Sequence, residues 1–405
     1  MDAAFGQTAP IHLPKGFSFS AVTAGIKASG RPDLALVTAS QGTTAAAVFT
    51  RNRVVAAPLI VGKTGLARSR GRVRAVIVNA GNANCATGKA GIQACVAVCR
   101  ETAKSLDVKP DEVFPSSTGI IGVPLPAEKI VAALPVVSAG QQATEQGVQQ
   151  FAAAIMTTDT RPKLASVRVK GGKGEFSLLG IAKGSGMIHP QLATMLVYLF
   201  TDAVASPRDL QRFLRQTCDQ TFNCISVDGD TSTNDTVLLL ASGQSGIRIG
   251  SGDARKRFTK ALLEVAQSLA EQIVSDGEGV KHVIRLSLEG GKDREEALRA
   301  AKAIAHSLLV KTAWAGADPN WGRILAAVGA SGIPIHPERM EITIGGQTVF
   351  HKGTVCAFDQ DAAHYALSQP RCDIGVKLNR GRAQVTFLTT DLTAEYVRIN
   401  ADYST

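Results

Sequence analysis

The run Met195-Leu196-Val197-Tyr198-Leu199-Phe200 constrains the chain more than any other stretch. It is apolar throughout instead of alternating, so it reads as a strand with both faces buried. Polarity returns at Thr201-Asp202. The approach is a Gly-rich polar loop, Lys183-Gly184-Ser185-Gly186-Met187-Ile188-His189-Pro190-Gln191-Leu192-Ala193, and Thr194 stands at the junction. The pattern delivers a hydroxyl to the mouth of a buried strand.

A threonine hydroxyl is a poor nucleophile without a base beside it. One solution is to make Thr the first residue of a chain, so that its own α-amine, titrating near pH 8, accepts the proton. Here that requires cutting the Ala193–Thr194 bond. The small Ala193, the glycines and the fixed φ of Pro190 suit a strained scissile turn. On the residues alone the alternative stays open that Thr194 is an ordinary strand former.

With 405 residues, 45% of them apolar, and 39 Gly, the chain reads as an α/β protein with many tight turns, and two domains are expected. No apolar run approaches the roughly 18 residues of a membrane span. The start, Met1-Asp2-Ala3-Ala4-Phe5-Gly6, lacks the pattern of a signal peptide, so a cytoplasmic protein without membrane association is expected. The 7 Cys form no C-x-x-C pair and the 7 His no H-x-x-x-H, which points to reduced thiols and no metal. Net charge is +10 and the pI about 9.3. Arg68, Arg70, Arg72 and Arg74 are the densest basic cluster, yet only 4 Tyr and 2 Trp are available for base stacking, so nucleic acid is not the expected partner. A solvated basic surface fits, as does a field attracting small carboxylates or a phosphorylated cofactor.

Along the chain, Arg74–Val78 reads as a buried strand emptying into the amide-rich loop Asn79-Ala80-Gly81-Asn82-Ala83-Asn84. A helix over Ala90–Ser105 and a short strand Glu112–Phe114 follow, then a Thr118-Gly119 turn that sets a hydroxyl beside an unhindered N–H. The Thr157-Thr158-Asp159-Thr160 cluster ends an apolar helix, and a hairpin leads to Lys183. Past Thr194 come a helix from Pro207, the acid-rich stretch Ser226–Thr236, the strand Val237–Ala241 and a long helix over Ala254–Val274. Beyond Lys281 the texture suggests a smaller α/β domain, with both Trp in one loop and two hairpins, Arg339–Ile344 with Val349–Lys352 and Ile374–Leu378 with Ala383–Leu388.

Gly186-Met187-Ile188-x-Pro190-x-x-Ala193-Thr194-Met195-Leu196 resembles the self-cleavage motif of the ornithine acetyltransferase (glutamate N-acetyltransferase) family of arginine biosynthesis. Gln191-Leu192 departs from that family's usual Asn-Met. Asn79-Ala80-Gly81-x-Ala83-Asn84 and the ending Tyr403-Ser404-Thr405 match as well. The resemblance implies an N-terminal-nucleophile-like (DOM-type) mixed-sheet α/β fold with helices packed on the sheets. It implies a catalytic domain over 1–280, a smaller one over 281–405, and processed chains 1–193 and 194–405. It implies Thr194 as nucleophile, Thr118 and Gly119 as the oxyanion pair, and Thr157, Lys183, Thr194, Glu278, Asn400 and Thr405 as substrate contacts. The reaction implied moves acetyl from N-acetylornithine to glutamate through an acetyl-Thr194 enzyme, without metal or bound cofactor. Some members also take acetyl-CoA as donor, and the cleaved fragments assemble as an α2β2 heterotetramer. The rival reading is a self-processing aminopeptidase or amidase.

Overall fold

The structure is a computed structural model that describes residues 10–171, 174–189 and 195–402. Nine strands precede residue 250: β1 (Phe17–Val22), β2 (Leu34–Ala39), β3 (Thr44–Phe49), β4 (Ala75–Asn82), β5 (Val113–Ile120), β6 (Lys163–Gly171), β7 (Gly174–Lys183), β8 (Leu196–Thr201) and β9 (Thr236–Ala241). They form two sheets, ordered β1-β2-β4-β5 and β3-β9-β8-β7-β6. The helices that accompany them are α1 (Ala57–Arg68), α2 (Gly88–Leu106), α3 (Ala127–Ala139), α4 (Glu145–Ala154), α5 (Pro207–Gln220) and, after β9, α6 (Gly252–Ser275).

The two sheets pack face to face. Phe19, Val37, Val76 and Val78 of one meet Tyr198, Phe200, Leu238 and Leu240 of the other, and Phe19 sets its ring edge-on to Phe200 at 5.2 Å between centroids. The outer face of the first sheet, Leu34, Leu36 and Ile77, is covered by Val98 and Cys99 of α2 and Ile130 and Leu134 of α3. That of the second, Leu178, Val197 and Leu199, is covered by Leu210 and Phe213 of α5 and Phe258, Leu262 and Leu269 of α6. The layers therefore run helix, sheet, sheet, helix. Strand β8 is central in its sheet, with Tyr198 and Phe200 facing the other sheet and Val197 and Leu199 facing helices. That double burial is why its sequence does not alternate. This is the mixed-sheet α/β fold with helices on the sheets that the resemblance implied.

From Val283 onward the chain builds a third sheet with its own apolar core, in the order Thr354–Val355, Gln347–His351, Glu341–Ile344, Arg371–Lys377, Val283–Gly291, Ala383–Thr390. The expected hairpin of the last two strands is not formed. Val283–Gly291 lies between them, parallel to the former and antiparallel to the latter. The connection crosses over its end, where the Arg380 and Gly381 amides both donate to the Gly290 carbonyl at 2.7 and 2.8 Å. A Cβ on Gly381 would sit 2.4 Å from the Gly291 carbonyl oxygen, so the crossing needs glycine. The two Trp do not share a loop: Trp314 is buried in the helix Leu308–Ala315, and Trp321 opens the helix Trp321–Gly329 with its ring stacked on Phe350.

Two expected loops are strand. Asn79–Asn82 belongs to β4, and Thr118-Gly119 lies within β5, paired in parallel register with Ala80 and Gly81. The carboxyl ends of β4 and β5 thus carry both segments. In the second sheet, β7 runs antiparallel to β8 with Lys183 opposite Leu196, and β8 runs parallel to β9 with Leu196 opposite Thr236. The end of β7 and the starts of β8 and β9 therefore share one edge.

Candidate active site

A cavity of about 240 Å³ opens where these strand ends meet. Thr118, Gly119, Thr157, Lys183, Glu278 and Asn400, distant in sequence, all line it. Asp228, Asp230, Ser232, Thr233 and Asn234 of the acid-rich stretch complete one wall, and Tyr396 another. Ala193, Thr194 and Thr405, and with them the segment 190–194, lie outside the described residues.

Lys183 is 3% exposed. Its Nζ donates to Thr157 Oγ1 at 2.8 Å and to Thr118 Oγ1 at 3.2 Å. Two of its three donors are thus used, and neither on a carboxylate; the third has no acceptor among the described residues. Burial lowers its pKa, and the nearby Asp159 charge opposes that.

Asp159 fixes both flanks of Lys183. Its carboxylate accepts from Thr157 N at 3.0 Å and from Gly184 N at 2.6 Å. It also takes Lys163 Nζ at 2.6 Å, and the same ammonium bridges to Asp276 at 2.6 Å. This trio of charges is fully enclosed. Burial alone would raise the Asp159 pKa, but the Lys183 and Lys163 charges and the hydrogen bonds outweigh it and hold the group at about 2.

At the β4–β5 edge the backbones approach too closely for a side chain. Gly119 has φ +131°, and a Cβ there would lie 2.3 Å from Gly81 C and 2.5 Å from Asn82 N. Only glycine fits beside Thr118.

The loop after Lys183 is fastened from three sides. A Cβ on Gly186 would meet Glu278 Oε2 at 2.3 Å, so Glu278 rests directly on that backbone. Glu278 N donates to the Ser185 carbonyl at 3.2 Å, and Asn400 Nδ2 caps Glu278 Oε2 at 2.8 Å. Met187 sits at φ +56°, a left-handed conformation that a non-glycine residue seldom holds unaided. Asp228 holds it, accepting from Met187 N at 2.5 Å and Ile188 N at 2.9 Å. Burial pushes Asp228 up to about 6, and burial with the Asp228 and Glu278 charges pushes the Tyr396 phenol up as well. On the far side of 190–194, Met195 N donates to Asp235 Oδ1 at 3.0 Å. Asp235 is fully buried, and that burial pushes its carboxyl well above the usual range.

The cavity therefore offers a buried ammonium with an open donor and hydroxyls at one side, and carboxylates at the other. That combination suits a small molecule carrying both an acid and an amine. Sequence reasoning gave no individual role to Asp159, Lys163, Asp276 or Asp235; Lys163 and Asp159 are four residues apart, but Asp276 joins them from 113 positions on and Asp235 meets Met195 across 40. Among the described residues no three His, Cys, Asp or Glu side chains cluster as metal ligands, and no helix is long and apolar enough to cross a membrane.

A four-layer α/β fold with a small, doubly charged cavity at its shared strand edge defines an enzyme of small polar metabolites. The chain belongs to the ArgJ family, whose model matches residues 18–405. It is 45% identical over 395 residues to the arginine biosynthesis bifunctional protein ArgJ of Thermus thermophilus, covering 98% of this chain and 100% of that one. The protein of the same name from Geobacter sulfurreducens is 43% identical, with 96% and 99% covered. Among solved structures, ornithine acetyltransferase from Mycobacterium tuberculosis complexed with ornithine is 40% identical, covering 44% of this chain and 92% of that chain at a TM-score of 0.41.

Proposed function

We propose that this protein is a self-cleaving glutamate N-acetyltransferase that moves the acetyl group of N-acetylornithine to glutamate in arginine biosynthesis, with acetyl-CoA as a second donor. The observation that carries the reading is the meeting of Lys183, Thr118 and Thr157 with Glu278 and Asn400 around one cavity, in a chain matching bifunctional ArgJ proteins end to end.

In the first step Thr194 Oγ attacks the Ala193 carbonyl carbon. The C–N bond breaks, the Thr194 nitrogen takes a proton, and water hydrolyses the resulting ester to give chains 1–193 and 194–405. The freed α-amine then accepts the Oγ proton while Oγ attacks the acetyl carbonyl. Thr118 and the Gly119 N–H hold the oxyanion; losing one such donor costs about 10²–10³ in rate. The departing ornithine amine takes the proton from the Thr194 ammonium. Glutamate attacks the acetyl ester in the second half of the cycle.

Lys183, with its open donor, pairs with the substrate's α-carboxylate, and Thr157 positions that ammonium. Glu278 receives the side-chain ammonium of ornithine, and Asn400 and Thr405 close the site from the C-terminus. No metal or bound organic cofactor enters these steps. We place the domain division near residue 280, the enzyme in the cytoplasm, where free thiols such as Cys95, Cys99 and Cys218 stay reduced, and the assembly as α2β2.

A denaturing gel should show two fragments, and Thr194→Ala a single inactive chain. Incubation with N-acetylornithine should add one acetyl group to fragment 194–405 by mass spectrometry. An intact chain at full activity, or acetate released to water in place of acetylglutamate, would overturn the reading.

A further inference from the structure

Outside the catalytic cavity a groove of about 400 Å³ opens between the end of β3, α1 and α5. Arg51, Lys63 and Arg215 converge on it from three different elements. None of the three has an ion-pair partner among the described residues; Lys63 only lies over the Phe49 ring, 4.9 Å from its centroid. The single acid in the lining, Asp219, already accepts from Asn223 Nδ2 at 3.0 Å. A fourth cation stands close by. Burial lowers the pKa of Lys302, Cys224 relieves part of that, and the charge of Arg51 adds a smaller lowering. On the neighbouring helices some arginines do pair, Arg212 with Asp209 in α5 and Arg257 with Asp253 in α6. Around the groove no such ion pair forms among the described residues. Three cations without ion-pair partners around a concave surface that holds one acid are what an anion of high charge density would bind.

The groove also abuts the site. Thr50, in its lining, donates through N to the Asp235 carbonyl at 3.0 Å and through Oγ1 to the Ser232 carbonyl at 2.8 Å. Asn52 Nδ2 donates to the Thr231 carbonyl at 3.1 Å. Ser232 lines the catalytic cavity, so one hydrogen-bonded wall separates the two.

We infer that this groove is a second binding site, taking the phosphate groups of a phosphorylated small molecule on Arg51, Lys63 and Arg215. Two phosphates or more are the better match, since a lone carboxylate would satisfy one cation and leave two opposed. The inference does not rest on the acetyl-transfer reading.

The test is calorimetric titration of inorganic pyrophosphate into the purified full-length protein at physiological ionic strength. Saturable binding near one site per chain is expected. The double variant Arg51→Gln/Arg215→Gln should weaken it at least about tenfold, as loss of two charge-assisted contacts requires. Its acetyl exchange between N-acetylornithine and glutamate should stay within about twofold of the parent. Lys63→Gln provides a second, independent variant should the double one lose its thermal transition. Absence of saturable binding, or binding unchanged in both variants, overturns the site. A parallel assay with acetyl-CoA tells the ligand's source. If acetyl-CoA-dependent activity falls with pyrophosphate affinity, the phosphates belong to an acyl donor; if only pyrophosphate binding falls, they belong to a separate effector. Either result supports the site.

Discussion

Asn400 Nδ2 meets Glu278 Oε2 at 2.8 Å across 122 positions of sequence, tying the C-terminal helix Ala394–Asp402 to the turn that follows α6. That helix buries none of its residues, so its hold on the body of the protein rests on a few polar contacts such as this one. Asn400→Ala should therefore raise KM for N-acetylornithine roughly five- to tenfold, about the worth of one solvent-exposed hydrogen bond. Initial-rate kinetics should show kcat little changed, and the melting temperature should stay put.

Gly186→Ala is the complementary probe. The new methyl would occupy the place of the Glu278 carboxylate, which can swing away because it ends a flexible side chain. Stability should change by less than about 1 kcal/mol while kcat/KM falls roughly tenfold or more. A parent-like kcat/KM would show that Glu278 does not touch substrate.

Gly119→Ala should be far costlier. Its methyl would meet backbone atoms of Gly81 and Asn82, at a positive φ that already disfavours alanine. Opening the β4–β5 pair should lower stability by about 3 kcal/mol or more, measured by chemical denaturation. A variant as stable as the parent would show that the two strands are not packed this tightly.

Asp159→Asn removes the carboxylate shared by Lys163, Gly184 and Thr157. Breaking a buried ion pair from one side costs about 3–5 kcal/mol. The pH dependence has a definite sign. The folded pKa of about 2 lies below the unfolded value near 3.9, so the parent has this stabilisation in full above pH ~4 and loses it as pH falls toward 2. Denaturation curves at pH 7 and pH 2.5 should show the gap between parent and variant narrowing at the lower pH.

Local pattern carried much of the fold. The run Met195–Phe200 announced a central strand because both of its faces meet apolar layers, and α6 announced itself by its long amphipathic repeat. Thr118-Gly119 misled because Thr and Gly in succession favour turns, whereas here Gly81 on the neighbouring strand demands a glycine opposite it. The Ile374–Leu378 and Ala383–Leu388 pair misled because no local signal tells that Val283–Gly291 will insert between them. At the site, Lys183, Thr157, Glu278 and Asn400 were named through family likeness; on chemistry alone each reads as an ordinary polar surface residue. Their convergence on one cavity, and the Lys163–Asp276 bridge spanning 113 positions, arise only when the sheets close.

The strand order β3-β9-β8-β7-β6 places β8 and β9, from beyond residue 194, between β3 and β7, from before it. A break between Ala193 and Thr194 would leave two polypeptides interleaved within one hydrogen-bonded surface, inseparable without unfolding. Neither piece made separately would possess the whole of that sheet. Maturation must then come after folding, and the proportion of uncut chain in a preparation becomes a direct gauge of how much of it ever reached the native state.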